Sequence, residues 1–280
     1  MNTKRILIAD AGATKTDWAL SCSGQTISQV KTQGISPVHQ DNATVLAILE
    51  KELKPGLSEM PDEIYFYGAG CTPDRCGNIA CMLREAFGDI KVEVLSDLWG
   101  AARAVCGRRA GIACILGTGA NSCLYDGHDI LQNTPPLGYI LGDEGSGAVM
   151  GKNFVADVLK GIMPQEIRDA FFAETATTYA EIIEHVYRHP LANRYLASFS
   201  QVVRNHREHP AVHTFLIDHF SRFIERNIRI YARPELPLNF VGGIAYSFRP
   251  ELEEAARKAG MMVGKVERSP IEGLLTYHNQ

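Results

Sequence analysis

Short runs of apolar residues bounded by turn residues recur through the first 140 positions: Ile6–Ala9, Ile64–Phe66, Val92–Leu95 and Ile112–Leu116. Each has the length and unbroken apolar character of a buried strand. Between the first two the period changes. From Asp41 to Leu53, Val45, Ile48, Leu49 and Leu53 return at about one helical turn, which predicts an amphipathic helix. From about 143 to 231 the pattern is helical almost throughout. Val212, Phe215, Leu216, Phe220, Phe223, Ile224, Ile228 and Tyr231 form one apolar stripe of nearly six turns. A strand then returns at Leu238–Val241. After Pro250 a helix follows with Leu252, Ala255, Ala256 and Ala259 on one face. The whole reads as an α/β chain with a helix-rich second half. No low-complexity linker interrupts it, so a packed boundary is expected near 105–115.

The strands repeat a local grammar. Ile6-Leu7-Ile8-Ala9-Asp10-Ala11-Gly12-Ala13-Thr14-Lys15-Thr16 is a strand running into a turn of small, hydroxyl and amine residues, and a second apolar run, Trp18-Ala19-Leu20, follows. Cys114-Ile115-Leu116-Gly117-Thr118-Gly119-Ala120-Asn121-Ser122 repeats it, and Asn239-Phe240-Val241-Gly242-Gly243 again sets glycines directly after a strand. Small residues at a strand end let backbone N–H groups approach an anion closely. Two matched turns in duplicated halves predict a phosphate chain gripped from both sides, with the third turn near a nucleoside. Neither turn is a G-x-x-x-x-G-K-[ST] loop or a G-x-G-x-x-G fingerprint.

Composition narrows the partners. Of 280 residues, 45% are hydrophobic and 21% charged, enough to build a large core and to exclude a disordered chain. Lys plus Arg number 28 against 32 Asp plus Glu, a net charge of −4, so nucleic acid and anionic membranes are not expected partners. No apolar run reaches the roughly 18 residues of a membrane span. The apolar stretch Ile6–Ala9 is too short for a secretory signal, so the expected location is cytoplasmic. Seven cysteines are too irregular for a disulfide framework, and the spacing of Cys71, Cys76 and Cys81 matches neither zinc pairs nor common ferredoxin runs. His185, His189, His206, His209, His213 and His219 crowd one region and read as a solvated helical face.

Four motifs stand in order: Asp10-x-Gly12-x-Thr14-Lys15-Thr16, Leu95-Ser96-Asp97-Leu98-Trp99-Gly100-Ala101, Leu116-Gly117-Thr118-Gly119-Ala120-Asn121-Ser122, and Gly142-Asp143-Glu144-Gly145-Ser146-Gly147. Together they resemble the BadF/BadG/BcrA/BcrD-type ATPase family, most of all its N-acetylglucosamine kinase branch. The likeness continues through Val241-Gly242-Gly243 to Ser269-Pro270-Ile271-Glu272-Gly273. It implies two actin-like, ribonuclease H-like domains with an interdomain cleft. The first would be 1–110, rejoined by a C-terminal helix at 270–280; the second would be 111–269, with a helical insertion. Where the kinase branch often has Gly-Trp-Gly at the sugar, Pro136-Leu137-Gly138 stands here.

Phosphoryl transfer to an alcohol needs charge neutralisation, a metal ion and a carboxylate to take the hydroxyl proton. Asp10 is the expected Mg²⁺ holder, through water, or else a turn cap. Gly12, Thr14, Lys15 and Thr16 are expected around the ATP phosphates from one side, with Thr118 and Gly119 from the other. By resemblance Asp97 is the catalytic proton acceptor; the alternative is that Ser96 or Asp97 is simply the N-cap of the helix that follows. Sugar contacts implied by resemblance are Ser36, Asp97, Asn121, Gly138 and Asp143, and the adenosine side is Ala197, Gly242 and Gly243. The expected activity is ATP-dependent phosphorylation of an amino sugar, N-acetylglucosamine at its 6-hydroxyl, with a homodimer as the candidate assembly. Two other readings remain: an activase-type ATPase for a 2-hydroxyacyl-CoA dehydratase, which would need an iron–sulfur cluster on cysteines, and a silent sugar or nucleotide sensor.

Overall fold

A computed structural model describes residues 4–12, 14–37 and 40–280. The chain divides into two compact units, Met1–Arg109 with Ser269–Gln280, and Ala110–Arg268.

In the first unit β1 (Arg5–Ala11), β2 (Lys15–Cys22) and β3 (Gln25–Gln33) form an antiparallel meander. Helix α1 (Asn42–Ile48), capped by the Asp41 carboxylate on Thr44 N–H, runs on as a π-helical turn over Leu49–Leu53. Then come β4 (Glu63–Gly68), α2 (Cys76–Phe87), β5 (Lys91–Ser96) and α3 (Asp97–Cys106). The sheet order is β3-β2-β1-β4-β5, with β1, β4 and β5 parallel. Strand β4 is buried at every position, as a central strand covered on both faces must be.

The second unit repeats the plan. Strands β6 (Gly111–Leu116), β7 (Ala120–Tyr125) and β8 (Ile130–Thr134) form the meander. A helical block follows: α4 (Gly138–Leu141), α5 (Gly147–Leu159), α6 (Gln165–Thr175), α7 (Tyr179–Arg188), α8 (Ala192–Ser198), α9 (Ser200–Asn205) and α10 (Pro210–Phe223). Helix α10 passes into a π-helical turn, Ile224–Ile228, and a 3-10 turn, Arg229–Tyr231. Then β9 (Leu238–Val241), α11 (Gly243–Ser247), α12 (Arg249–Lys258) and β10 (Val263–Glu267) complete a sheet ordered β10-β9-β6-β7-β8. It is the first sheet's order over again, with the same two antiparallel and two parallel junctions. The long apolar stripe of α10 faces the core of this unit, where Val212, Leu216, Phe220 and Phe223 are fully buried. His219 lies with them and is buried, not solvated as expected. It falls between Phe215 and Phe223 at helical spacing, so it shares their face.

The chain ends in α13 (Ile271–His278), which belongs to the first unit. It packs so tightly on α3 that a Cβ on Gly273 would sit 2.4 Å from the Ala104 carbonyl oxygen. The Tyr67 hydroxyl bonds His278 Nε2 at 2.7 Å, and Arg103 donates to Tyr67 at 2.7 Å and to Glu93 at 2.5 Å. Among the described residues no helix is long and apolar enough to cross a membrane.

Candidate active site

In parallel α/β sheets the carboxyl ends of the strands are where ligands bind, because loops and helix N-termini converge there. The register places Asp10, at the end of β1, opposite Tyr67 of β4 and Asp17 of β2, while Gly68 pairs with Ser96 just before Asp97. Asp10 and Asp97 therefore share one edge of the first sheet. Among the described residues no donor reaches the Asp10 carboxylate. Burial, then the nearby Asp17 and Asp97 carboxylates, push its carboxyl up to about 7 against the pull of Lys15. Three carboxylates crowding one ammonium is an arrangement that a cation would relieve.

Asp97 is the first residue of α3, and the preceding Ser96 makes no side-chain cap. Burial raises the Asp97 carboxyl, while its own N–H and that of Leu98 pull it back. It thus acts on the helix N-terminus, as an N-terminal acid would, yet is also set at the sheet edge beside Asp10. The first turn is tight. Gly12 N–H donates to the Lys15 carbonyl at 3.0 Å, Thr14 is exposed, and Ala13 lies outside the described residues. Ala11 continues β1 in register with Thr16 and needs no glycine conformation.

Two expectations for this turn change. Thr16 is fully buried, and its Oγ1 accepts from Ile35 N–H at 3.1 Å, so it anchors the Gly34–Ser36 segment and does not face a phosphate. Strand alternation explains this, since Thr16 points to the same face as Trp18 and Leu20. Lys15 is already committed to Asp17 at 2.5 Å. Ser36 is buried, with its N–H donating to Gln40 at 2.9 Å.

In the second unit the β6–β7 turn is stitched to the loop before α5. Gly147 N–H donates to the Gly117 carbonyl at 2.8 Å and Ala148 N–H to the Thr118 carbonyl at 3.1 Å. Ala120 N–H donates to Asp143 Oδ1 at 3.3 Å, and a Cβ on Gly119 would meet Asp143 Oδ2 at the same 3.3 Å. The Asp143 carboxylate is thus laid against the β6–β7 turn. Its carboxyl is raised by burial and by Glu144, and lowered by Ala120 N–H and Lys152. Among the described residues the amide N–H groups of Thr118 and Gly119 have no partner, as an anion-binding turn requires. Asn121 spends its carboxamide oxygen on Ser122 N–H and Asn133, each at 2.9 Å, and keeps its NH₂ group as a donor. Gly138, at φ +73°, starts α4 and is exposed.

A cavity of about 390 Å³ brings Thr118, Ala197 and Gly243 together with Gln201, Arg204 and Phe248. Its size is within the range of small-ligand sites. Gly242 makes this closeness possible. Its φ is +126°, and a Cβ there would stand 2.3 Å from the Leu116 carbonyl oxygen, so only glycine lets β9 turn against the end of β6. Arg204 and Gln201 carry no motif and were not foreseen. Among the described residues the Arg204 guanidinium has no hydrogen bond or ion pair, which suits it to an anionic ligand at the rim.

No group of three or more His, Cys, Asp or Glu side chains able to hold a metal occurs among the described residues. Asp10, crowded by Asp17 and Asp97 but not grouped with them as a ligand set, fits Mg²⁺ held through water and substrate phosphates. The cysteines fit a cluster poorly. Cys71 is buried with its thiol pushed up to about 12 by burial, Cys76 is half-buried, and Cys81 is exposed.

Duplicated sheets of one strand order, each with a small-residue turn at its carboxyl edge, define the actin-like ATPase fold. No protein-family model matches the chain, and no curated protein does. Among solved structures, a Porphyromonas gingivalis protein provisionally named an N-acetylglucosamine kinase is 45% identical, with 98% of each chain covered and a TM-score of 0.94. At that identity over the full length, this chain belongs to the N-acetylglucosamine kinase branch of the BadF/BadG/BcrA/BcrD-type ATPase family. A Chromobacterium violaceum protein, provisionally given the same name, is 17% identical with 100% of each chain covered and a TM-score of 0.76. A Thermus thermophilus ROK hexokinase is 15% identical, covering 98% of this chain and 96% of its own, with a TM-score of 0.52. These last two share the fold.

Proposed function

We propose that this protein is an ATP-dependent sugar kinase whose acceptor is N-acetylglucosamine, phosphorylated at the 6-hydroxyl. The observation that carries the reading is the pair of crowded carboxylates, Asp10 and Asp97, at the edge where a phosphoryl-transfer enzyme needs a metal holder and a base. Asp97 takes the proton of the sugar hydroxyl. Burial lifts its carboxyl toward the working pH, which strengthens it as a base, and two backbone N–H groups fix its direction. Mg²⁺ bound through Asp10 would offset the charge of the phosphates. Thr14 of the first turn, and the Thr118 and Gly119 amides of the β6–β7 turn, donate to phosphate oxygens; Lys15 adds positive charge from its place on Asp17, and Gly12, its N–H held by the Lys15 carbonyl, shapes the turn. The cavity beside Thr118 takes the nucleoside, with Ala197, Gly242 and Gly243 shaping it and Arg204 at its rim. Asp143, Asn121 and Gly138, with Ser36, bind the sugar. Thr16 has no part beyond holding the Ser36 segment.

The identity and full coverage shared with the Porphyromonas gingivalis protein support the amino-sugar acceptor. The test is Asp97→Asn. General-base assistance is worth about 10²–10⁴-fold, and an amide keeps the shape but cannot take the proton. Turnover should fall by at least about a hundredfold while ATP and sugar still bind in calorimetry. A variant keeping more than about a tenth of wild-type turnover removes Asp97 from the role.

A further inference from the structure

Asp143 stands in the left-handed region at φ +53°, and its N–H donates to the Pro136 carbonyl at 2.8 Å, next to Leu137 at φ +63°. Residues with a Cβ hold such conformations only where their surroundings over-determine them. Besides the Pro136, Ala120 and Ser146 bonds to Asp143 itself, one element braces the two residues that follow it, Glu144 and Gly145. His219 of α10 is buried and hydrogen-bonded to the Gly145 backbone, and its Nε2 has no partner among the described residues, so the bond is made by Nδ1. Four residues on, Phe223 presses against Gly145, where a Cβ would come within 2.9 Å. Four further on, Asn227 Nδ2 donates to Glu144 Oε2 at 3.2 Å, and Arg226 pairs with the other Glu144 oxygen.

In a regular α-helix each step of four residues rotates about 40° past a full turn, so positions 219, 223 and 227 would drift off one line. The π-helical turn at Ile224–Ile228 takes an extra residue into its ring and brings Asn227 back over the loop. The far end of the turn is fastened in its turn: Thr134 Oγ1 donates to the Asn227 carbonyl at 2.9 Å, and Tyr231 Oη accepts from Thr134 N–H at 3.0 Å.

We propose that the α10–π segment is the device that positions Asp143 for the sugar, with Glu144, Asn227 and His219 as its positioning residues. The inference rests on the reading of Asp143 as a sugar ligand. Losing one hydrogen bond to a charged group is worth roughly a tenfold change in an equilibrium. Glu144→Gln and Asn227→Ala should therefore each raise the KM for N-acetylglucosamine about tenfold, with the KM for ATP within about twofold. Amide hydrogen exchange read on the ligand-free protein should quicken about tenfold over Gly142–Ala148 in both variants and stay unchanged in the first unit. Unchanged exchange over that loop overturns the clamp, whatever the activity. Faster exchange with an unchanged sugar KM overturns the positioning role. An equal rise in the KM for both substrates, with a general loss of thermal stability, overturns it as well. A wild type that phosphorylates no sugar overturns the kinase reading and the positioning role together; the exchange arm then still decides whether the clamp exists.

Discussion

Asp10 offers a stability experiment whose sign runs opposite to ordinary expectation for a site residue. Its carboxyl, near 7 in the folded protein, has an ordinary value of 3.8. A raised folded value means the folded state holds its proton more tightly than the unfolded state does. The stabilising contribution is full below about pH 4 and is lost as the pH rises through 7. At 1.36 kcal/mol per pKa unit, the ionised carboxylate costs about 4 kcal/mol at pH 8 and only about 1–2 kcal/mol at pH 5. Asp10→Asn keeps the shape and carries no charge at any pH. Ligand-free and in EDTA, the variant should be more stable than wild type by up to about 4 kcal/mol at pH 8, the gap narrowing by roughly 2–3 kcal/mol at pH 5. Urea unfolding followed by tryptophan fluorescence reads the right part of the molecule, since Trp18 and Trp99 both lie in the first unit. A gap that does not change between the two pH values refutes the crowded-carboxylate argument. So does a variant less stable than wild type at pH 8.

Two further outcomes follow from the same geometry. Activity should vanish in EDTA and return with Mg²⁺ or Mn²⁺, both oxygen-seeking ions; activity that survives exhaustive chelation contradicts the role of Asp10. Gly242→Ala should cost about 3 kcal/mol, because the Cβ meets the Leu116 carbonyl in a backbone region that L residues avoid. Thermal denaturation should show a drop of roughly 6–12 °C for the second unit, and a change under about 2 °C would mean the turn relaxes freely.

The central strands were legible because burial on both faces writes them as unbroken apolar runs: β1, β4, β6 and β9 all contain the segments expected, and of the edge strands β5 alone carried such a run, Val92–Leu95. Two other edge strands were not legible. β3, read as Gln25-Thr26-Ile27-Ser28-Gln29-Val30-Lys31-Thr32-Gln33, is largely solvent-facing, and β10, Val263-Gly264-Lys265-Val266-Glu267, buries little, so neither carries a clear apolar pattern. The stripe of α10 foretold one long helix. Its π-helical turn was invisible, since the apolar residues continue through it while only the backbone register changes. Motif order pointed to Asp10 and Asp97, which share one edge of the first sheet, and to Asp143, which lies against the turn holding Thr118 in the second unit. It misled at Thr16, where strand alternation outranks membership of the motif. Arg204 and Gln201 could not be found, because folding alone carries the helical insertion to the edge of the β6–β7 turn. His219 was recoverable: its spacing within the apolar stripe pointed inward, and its company of charged neighbours hid that.

The most direct test of the account is to incubate the protein with ATP, Mg²⁺ and N-acetylglucosamine and identify the product by proton–phosphorus NMR. Glucosamine, N-acetylmannosamine, N-acetylmuramate and glucose run beside it. One ADP should form per sugar consumed, with N-acetylglucosamine the best acceptor and the new phosphorus coupled to the two protons on C6. ADP release that no sugar stimulates, or phosphate carried on any other oxygen of N-acetylglucosamine, would contradict it.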